Sequence, residues 1–303
     1  MSGRSSRQLL VATTVLAVLV VAVGVVVGPG LIGSAGGVFG AAARSAPVEP
    51  APVPVQPVQI VGLGDSIPEA YGCACTGFLD LYADLLGDAR SAPATVTNFA
   101  TGGWTTADLL ASLPPDDAAA EADPDGVSRS IGQADIVTVM IGANDYDALV
   151  DTFAGGRCGG PDGLACFGAA TEDVTRDLTA ILQRIRELRD GRPTTLQVLG
   201  YWDVFPDGEF AEQTYGPQFV RDSTKVTQLA NTTIADVARA EQACYVDLYA
   251  TFKGPAGDLD DTSLLIDDGE HPNQAGHQRI ADALAAAACP QTTPQGQAVR
   301  GPS

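Results

Sequence analysis

A serine hydroxyl is a weak nucleophile and needs a base beside it. This chain offers few bases: its 303 residues include only two histidines, His271 and His277. His271 stands in Asp268-Gly-Glu-His271-Pro-Asn273, with an acid three residues before it. A turn that brings Asp268 to one ring nitrogen would fix the imidazole tautomer and stabilise the imidazolium formed during acyl transfer. The serine to pair with it is Ser66, in Gly64-Asp65-Ser66. A tetrahedral intermediate also needs donors where its oxyanion develops. The backbone N–H groups of Ser66 and Gly103 and the side-chain amide of Asn144 can supply them. Gly103 lies in Asn98-Phe-Ala-Thr-Gly-Gly103-Trp-Thr105, and Asn144 in Gly142-Ala-Asn144-Asp145. His277, with Gln and Arg neighbours in a predicted final helix, reads as a surface or capping residue.

Each cluster alone has an ordinary reading. A Ser after Gly-Asp caps helices, Gly-Gly makes turns, Asn tolerates left-handed backbone, and a loop aspartate is solvated. Together, in the order Ser66, Gly103, Asn144, His271, they resemble the four blocks of the SGNH or GDSL hydrolases. The resemblance runs from the first strand to the last helix. It is carried by Gly-Asp-Ser, Asn-x4-Gly-x-Thr, Gly-x-Asn-Asp and Asp-x-x-His-Pro-Asn. It is in particular a resemblance to the secreted, disulfide-bearing actinobacterial members. It implies a flavodoxin-like three-layer α/β/α sandwich around a parallel sheet, and a serine esterase or lipase. Ser66 is then the nucleophile, His271 the base and Asp268 its orienting acid, with Ser66, Gly103 and Asn144 as the oxyanion hole. One departure is Ile67 where the family has Leu, an apolar-for-apolar exchange.

Other motifs fail. The Gly-x-Ser-x-Gly elbow is broken by Pro68, and a dinucleotide fingerprint begun by Gly62 and Gly64 is broken by Ile67. With two histidines and no Cys-x-x-Cys pair, no metal site is expected, and no cofactor.

The elements that must position these residues follow from hydrophobic periodicity. Strands are predicted at Gln59–Leu63, Thr95–Phe99, Ile136–Ile141, Thr195–Leu199 and Tyr245–Leu248. Helices are predicted from Phe78, from Thr106, over Glu172–Arg189, over Phe219–Ala243, and after an Asn273 cap. Alternating strands and helices with continuously apolar strands argue an α/β fold, a parallel sheet covered on both faces. Ligands in such folds sit beyond the carboxyl ends of the strands.

The chain carries 17 basic against 37 acidic residues, a net charge of −20, which speaks against nucleic acid as a partner. Arg4 and Arg7 precede an uncharged apolar run from Leu9 to Val27, and small residues follow. This pattern reads as a cleaved export signal or a retained membrane anchor. The expected organisation is a signal peptide or anchor over 1–43, a proline-rich linker over 44–57, the hydrolase domain over 58–290 and a disordered tail over 291–303. The domain is then extracytoplasmic, in a disulfide-permissive compartment. Six cysteines allow 15 pairings. Local pairing joins Cys158 to Cys166 and Cys244 to Cys289, and leaves Cys73 with Cys75 in a short, strained loop.

The expected activity is hydrolysis of carboxylic esters of a lipid, glycolipid or acylated sugar by a monomer, through an acyl-enzyme on Ser66. Transfer to a sugar or lipid alcohol would use the same residues. An envelope-anchored binding protein with a decayed site is the non-enzymatic alternative. The loop 147–170 is expected to wall the site, and Tyr201, Trp202 and Phe205 to line an acyl or sugar pocket. The absence of a broad apolar lid favours short acyl chains.

Overall fold

The computed structural model describes residues 56–113, 123 and 126–292. The expected leader or anchor, most of the linker and the tail beyond residue 292 lie outside the described residues. Among the described residues no helix is long and apolar enough to cross a membrane.

The elements run β1 (Val58–Gly64), α1 (Ser66–Glu69), α2 (Phe78–Arg90), β2 (Ala94–Asn98), α3 (Thr106–Ser112), α4 (Val127–Gln133) and β3 (Ile136–Met140). They continue with α5 (Val150–Ala154), α6 (Gly168–Arg189), β4 (Thr195–Leu199), α7 (Gly208–Tyr215), α8 (Pro217–Ala240), β5 (Cys244–Val246), α9 (Leu248–Lys253) and α10 (Gln274–Ala286). All five expected strands are present. The periodicity did not reveal the short helices α1, α4, α5, α7 and α9, which hold too few residues to show a repeat.

The sheet order is β2-β1-β3-β4-β5, and every neighbouring pair is parallel. Strand order reverses at β1: the chain leaves it towards β2, then returns past it to β3. Right-handed connections therefore place the helices on opposite faces. α2 packs with α10, and α10 with α9, while α3, α4 and α8 pack on α6. The fold is the three-layer α/β/α sandwich.

β3 and β4 are buried along their whole length, whereas the edge strand β2 is half exposed. Ile136, Val137, Val139 and Met140 are fully enclosed, worth about 1.5–3 kcal/mol each. Thr138 and Gln197, polar residues inside the sheet, are paired. Thr138 Oγ1 donates to Gln197 Oε1 (3.1 Å), and Gln197 Nε2 donates to the Tyr82 hydroxyl (3.2 Å).

Gly64 ends β1 at φ +147°, and a Cβ there would lie 1.9 Å from the Met140 carbonyl oxygen. Only glycine allows this approach, which lets the Asp65 N–H donate to Met140 O at 3.1 Å. The ends of β1 and β3 are thereby locked together.

The sulfurs of Cys73 and Cys75, Cys158 and Cys166, and Cys244 and Cys289 are joined. The last bridge ties β5 to the segment after α10 across 45 residues, a loop whose closure removes about 4 kcal/mol of unfolded-state entropy in the chain-entropy account.

His277 departs from expectation. It is fully buried rather than at the surface, because it shares a helical face with Ile280, Ala281 and Leu284, all enclosed. The Gln and Arg beside it in sequence point elsewhere. Its Nδ1 accepts from the Phe78 N–H at 3.3 Å, at the start of α2, and its ring stacks on Phe78. Burial, helped by nearby His271, lowers its pKa to about 4. Its folded pKa thus lies below the unfolded value near 6.5, so the unfolded chain binds the extra proton between them. This residue's contribution to stability is complete above about pH 6.5 and falls as pH drops towards 4. His277→Asn keeps an acceptor for Phe78 without titrating. Denaturant unfolding should show the parent losing up to about 3 kcal/mol relative to this variant between pH 7 and 4.5. Parallel losses in the two proteins would refute the assignment.

Candidate active site

Three strand ends and one turn converge on a cleft of about 480 Å³. Ser66, Gly103, Asn144 and His271 all line it, with Glu69, Tyr71, Thr101, Gly102, Asp147 and Glu270. Ser66 and Asn144 follow β1 and β3, flanking the point where strand order reverses, the expected place for a ligand in an open α/β sheet.

Ser66 opens α1. Asp65 is its N-cap: the carboxylate accepts from the Ile67 N–H at 3.1 Å and from the Tyr201 hydroxyl. The Tyr201 backbone is held in turn by Asn231 of α8, whose side chain accepts from Tyr201 N (2.8 Å) and donates to Tyr201 O (2.7 Å). Asp65 is buried, and burial pushes its pKa up to about 6 against the pull of these hydrogen bonds. The same enclosure, with the Asp65 charge, drives the Tyr201 phenol well above its ordinary value. The Ser66 hydroxyl makes no hydrogen bond with the described residues.

The second block is a tight turn after β2. Thr101 N–H donates to Gly64 O (3.0 Å), and Trp104 N–H to Thr101 O (3.3 Å). Gly103 sits at φ +79°, and its N–H has no partner among the described residues. Thr105 and Asp108 form a capping box that starts α3.

The third block is braced against the second. Asp145 accepts from Thr106 N (3.0 Å) and Thr106 Oγ1 (2.6 Å). Asn144 Nδ2 donates one hydrogen to Trp104 O at 2.8 Å, which orients the amide and leaves its second hydrogen available.

The fourth block is the turn before α10. His271 Nδ1 lies 2.8 Å from Asp268 Oδ2, while Asp268 Oδ1 accepts from the N–H groups of His271 (3.0 Å) and Glu270 (2.9 Å). Burial would raise Asp268, but these donors together bring it below the ordinary carboxylate value. Asn273 clamps the turn: its side chain caps α10 and donates to Ser263 O and Leu265 O.

Besides Thr101 and Gly102 of the second block and Asp147 of the expected wall loop, the cleft is lined by Glu69, Tyr71 and Glu270, which were not singled out from the sequence. Glu69 follows the nucleophile by three residues, one turn along α1, and Tyr71 lies just past the left-handed Ala70 that ends this helix. Glu69 accepts from Gly102 N–H at 2.8 Å, and the Tyr71 ring lies 5.1 Å from the His271 ring. Asp147 and Glu270 are raised. Burial carries Glu270 to about 7 against the pull of His271, with Asp147, Asp268 and Asp65 adding to it. Asp147, exposed at the cleft, is raised by partial desolvation first and by Asp145 second. An acid adjacent to the base in Asp-Gly-Glu-His was the available signal for Glu270.

Two expectations are corrected. Tyr201, Trp202 and Phe205 line no pocket at the site; they are buried in the core, Trp202 stacked on Phe252 and Phe205 among Phe153, Phe167 and Phe219. Of the loop 147–170, only Asp147 reaches the cleft. Phe153 turns into the aromatic core, and Cys158 lines a separate cavity of about 130 Å³. A larger cavity of about 660 Å³ contains Lys253 with Asp207 and Asp261, but its lining includes no Ser, Cys or His.

The profile of the GDSL-like lipase/acylhydrolase family matches residues 63–279. Among curated proteins no match was found. Among solved structures, the lipase Lip_vut3 from a goat rumen metagenome is 20% identical with a TM-score of 0.55, covering 77% of this chain and 98% of that one. LAE5, an α/β hydrolase from the metagenome of Lake Arreo, is 21% identical with a TM-score of 0.51, over 77% of this chain and 95% of that one. A mutant of Axe2, an acetyl-xylooligosaccharide esterase from Geobacillus stearothermophilus, is 20% identical with a TM-score of 0.51, over 78% and 96%. At these identities the likeness shows a shared fold.

The Tyr201–Asp65 bond generates a test. Hydrogen bonds to charged groups are worth about 1.5–3 kcal/mol. Tyr201→Phe should lose about that much stability in denaturant unfolding above pH 6, where Asp65 is ionised, and less at pH 5, where its proton is regained. A loss independent of pH would mean that packing alone is affected.

Proposed function

The chain belongs to the GDSL-like lipase/acylhydrolase family and is a carboxylic ester hydrolase, and on that premise we propose that it works through an acyl-enzyme on Ser66. The observation that carries this reading is the Asp268–His271 pair opening onto the same cleft as Ser66, the free Gly103 N–H and the oriented Asn144 amide.

With Nδ1 bound to Asp268, Nε2 is the basic nitrogen of His271. It takes the proton of Ser66 as Oγ attacks the ester carbonyl carbon. The carbonyl oxygen becomes the oxyanion, met by the N–H groups of Ser66 and Gly103 and the free hydrogen of Asn144. The carbon–oxygen bond to the alcohol then breaks, and the imidazolium returns the proton to the departing alkoxide. Water, deprotonated by His271 in the same way, then attacks the acyl carbon; the bond to Ser66 Oγ breaks, the imidazolium returns its proton to Oγ, and the acid is freed.

Short acyl groups fit best. Among the described residues no aliphatic side chain lines the cleft, so a long acyl tail would recover little of the roughly 25 cal/mol per Å² that apolar burial provides. The six paired cysteines support an extracytoplasmic location.

Ser66→Ala, checked for native circular dichroism, should abolish hydrolysis of nitrophenyl acetate and labelling by a fluorophosphonate. Asn144→Ala should lower kcat by about 10²–10³, as loss of one oxyanion donor does. Parent-level turnover by folded Ser66→Ala would refute the mechanism.

A further inference from the structure

The cleft carries a charge pattern that ester cleavage does not require. Glu69, Asp147 and Glu270 line it, and among the described residues no Lys or Arg does. Glu69 is occupied by the Gly102 N–H, but the carboxyls of Asp147 and Glu270 have no hydrogen bond or ion pair with the described residues. Tyr71 presents an aromatic ring at the rim, 57% exposed. Two unpaired acids and an open aromatic face are the elements of a site for an organic cation.

Their position says which half of the ester they meet. His271 hands its proton to the leaving alcohol, so groups beside the imidazole border the alcohol half. Glu270 adjoins His271 in the chain, Asp147 feels its charge, and Tyr71 lies 5.1 Å away ring to ring. Gly103 and Asn144, the oxyanion donors, stand on the turns after β2 and β3, and Asp147 lies one turn beyond Asn144.

Resting on the esterase reading above, we propose that this site selects esters whose alcohol half carries an ammonium group, held by Glu270, Asp147 and the face of Tyr71. An incoming cation replaces repulsion among like charges with attraction, and the net charge of −20 draws such substrates from solution. Anionic esters, including those bearing phosphate, are disfavoured by the same field. Glu270 titrates near 7, facing Asp65 after β1, Asp147 after β3, and Asp268 and His271 in its own turn. The preference therefore strengthens from pH 6 to pH 8.

The test compares acetylthiocholine with its uncharged isostere, 3,3-dimethylbutyl thioacetate, using the full chain. The kcat/KM ratio should favour the cation by about tenfold at pH 8 and low salt, which corresponds to about 1.4 kcal/mol. It should shrink at high salt and at pH 6. Glu270→Gln and Asp147→Asn should each cut the ratio by about threefold or more. A role confined to stabilising imidazolium would instead slow both esters equally and leave the ratio unchanged. A ratio within twofold of unity in the parent overturns the proposal, as does a gain seen only when the cation is moved to the acyl half, in a betaine thioester. Nitrophenyl acetate separates the two readings. Its turnover without ammonium preference sinks this proposal alone, while its complete resistance sinks the esterase reading as well.

Discussion

A buried carboxylate without a cation beside it lies under the nucleophile, and much of the site is arranged around it. Asp65 sits where the sheet is most enclosed, and burying an ionised group there is costly. The structure offsets that cost with the Ile67 N–H and the Tyr201 hydroxyl. The first bond bends the chain into α1 directly after β1, which puts Ser66 at the cleft. The second reaches across to the segment after β4, whose backbone is held from α8 by Asn231. The serine is thus located by β1, β3, β4 and α8 together, through side chains that never touch a substrate.

The oxyanion donors are placed by a separate network, and the imidazole by a third. Asp145 accepts from Thr106, and Asn144 donates to Trp104, so the turns after β2 and β3 are tied together. The His271 turn is folded on itself by Asp268 and fastened by Asn273 to the residues around Leu265. Topology joins the first two pieces: β1 lies between β2 and β3, so the segments leaving those three strands meet at one end of the sheet, while the His271 turn is carried in by α10, which packs against α2. Each network is closed by its own hydrogen bonds, and the parallel sheet supplies the long-range register.

That division explains what could be read from sequence. The strands and long helices show themselves by periodicity, and the reactive residues by type and spacing. What hides is side-chain direction. Tyr201, Trp202 and Phe205 follow a strand end, where pocket-lining aromatics are common, yet the chain turns them into the core. His277 sits between polar neighbours, yet its helical phase points it at α2. Asp65 and Asp145 look like ordinary loop acids because their partners lie 136 and 39 residues away. Contacts at such separations leave no local pattern.

The acids around His271 show how little the residue type itself decides. Asp268 and Glu270 are two positions apart in one turn, and burial acts on both. Asp268 receives two backbone N–H groups and the imidazole, and it stays below the ordinary carboxylate range. Glu270 receives no such donors, and its pKa climbs to about 7. Negative charge is therefore concentrated on the one carboxylate that faces Nδ1, where it favours imidazolium as the proton leaves Ser66. The other carboxyl can hold or release its proton near neutrality as its surroundings change. A turn that gives its N–H groups to one acid and withholds them from the next produces two chemically different groups from nearly the same side chain.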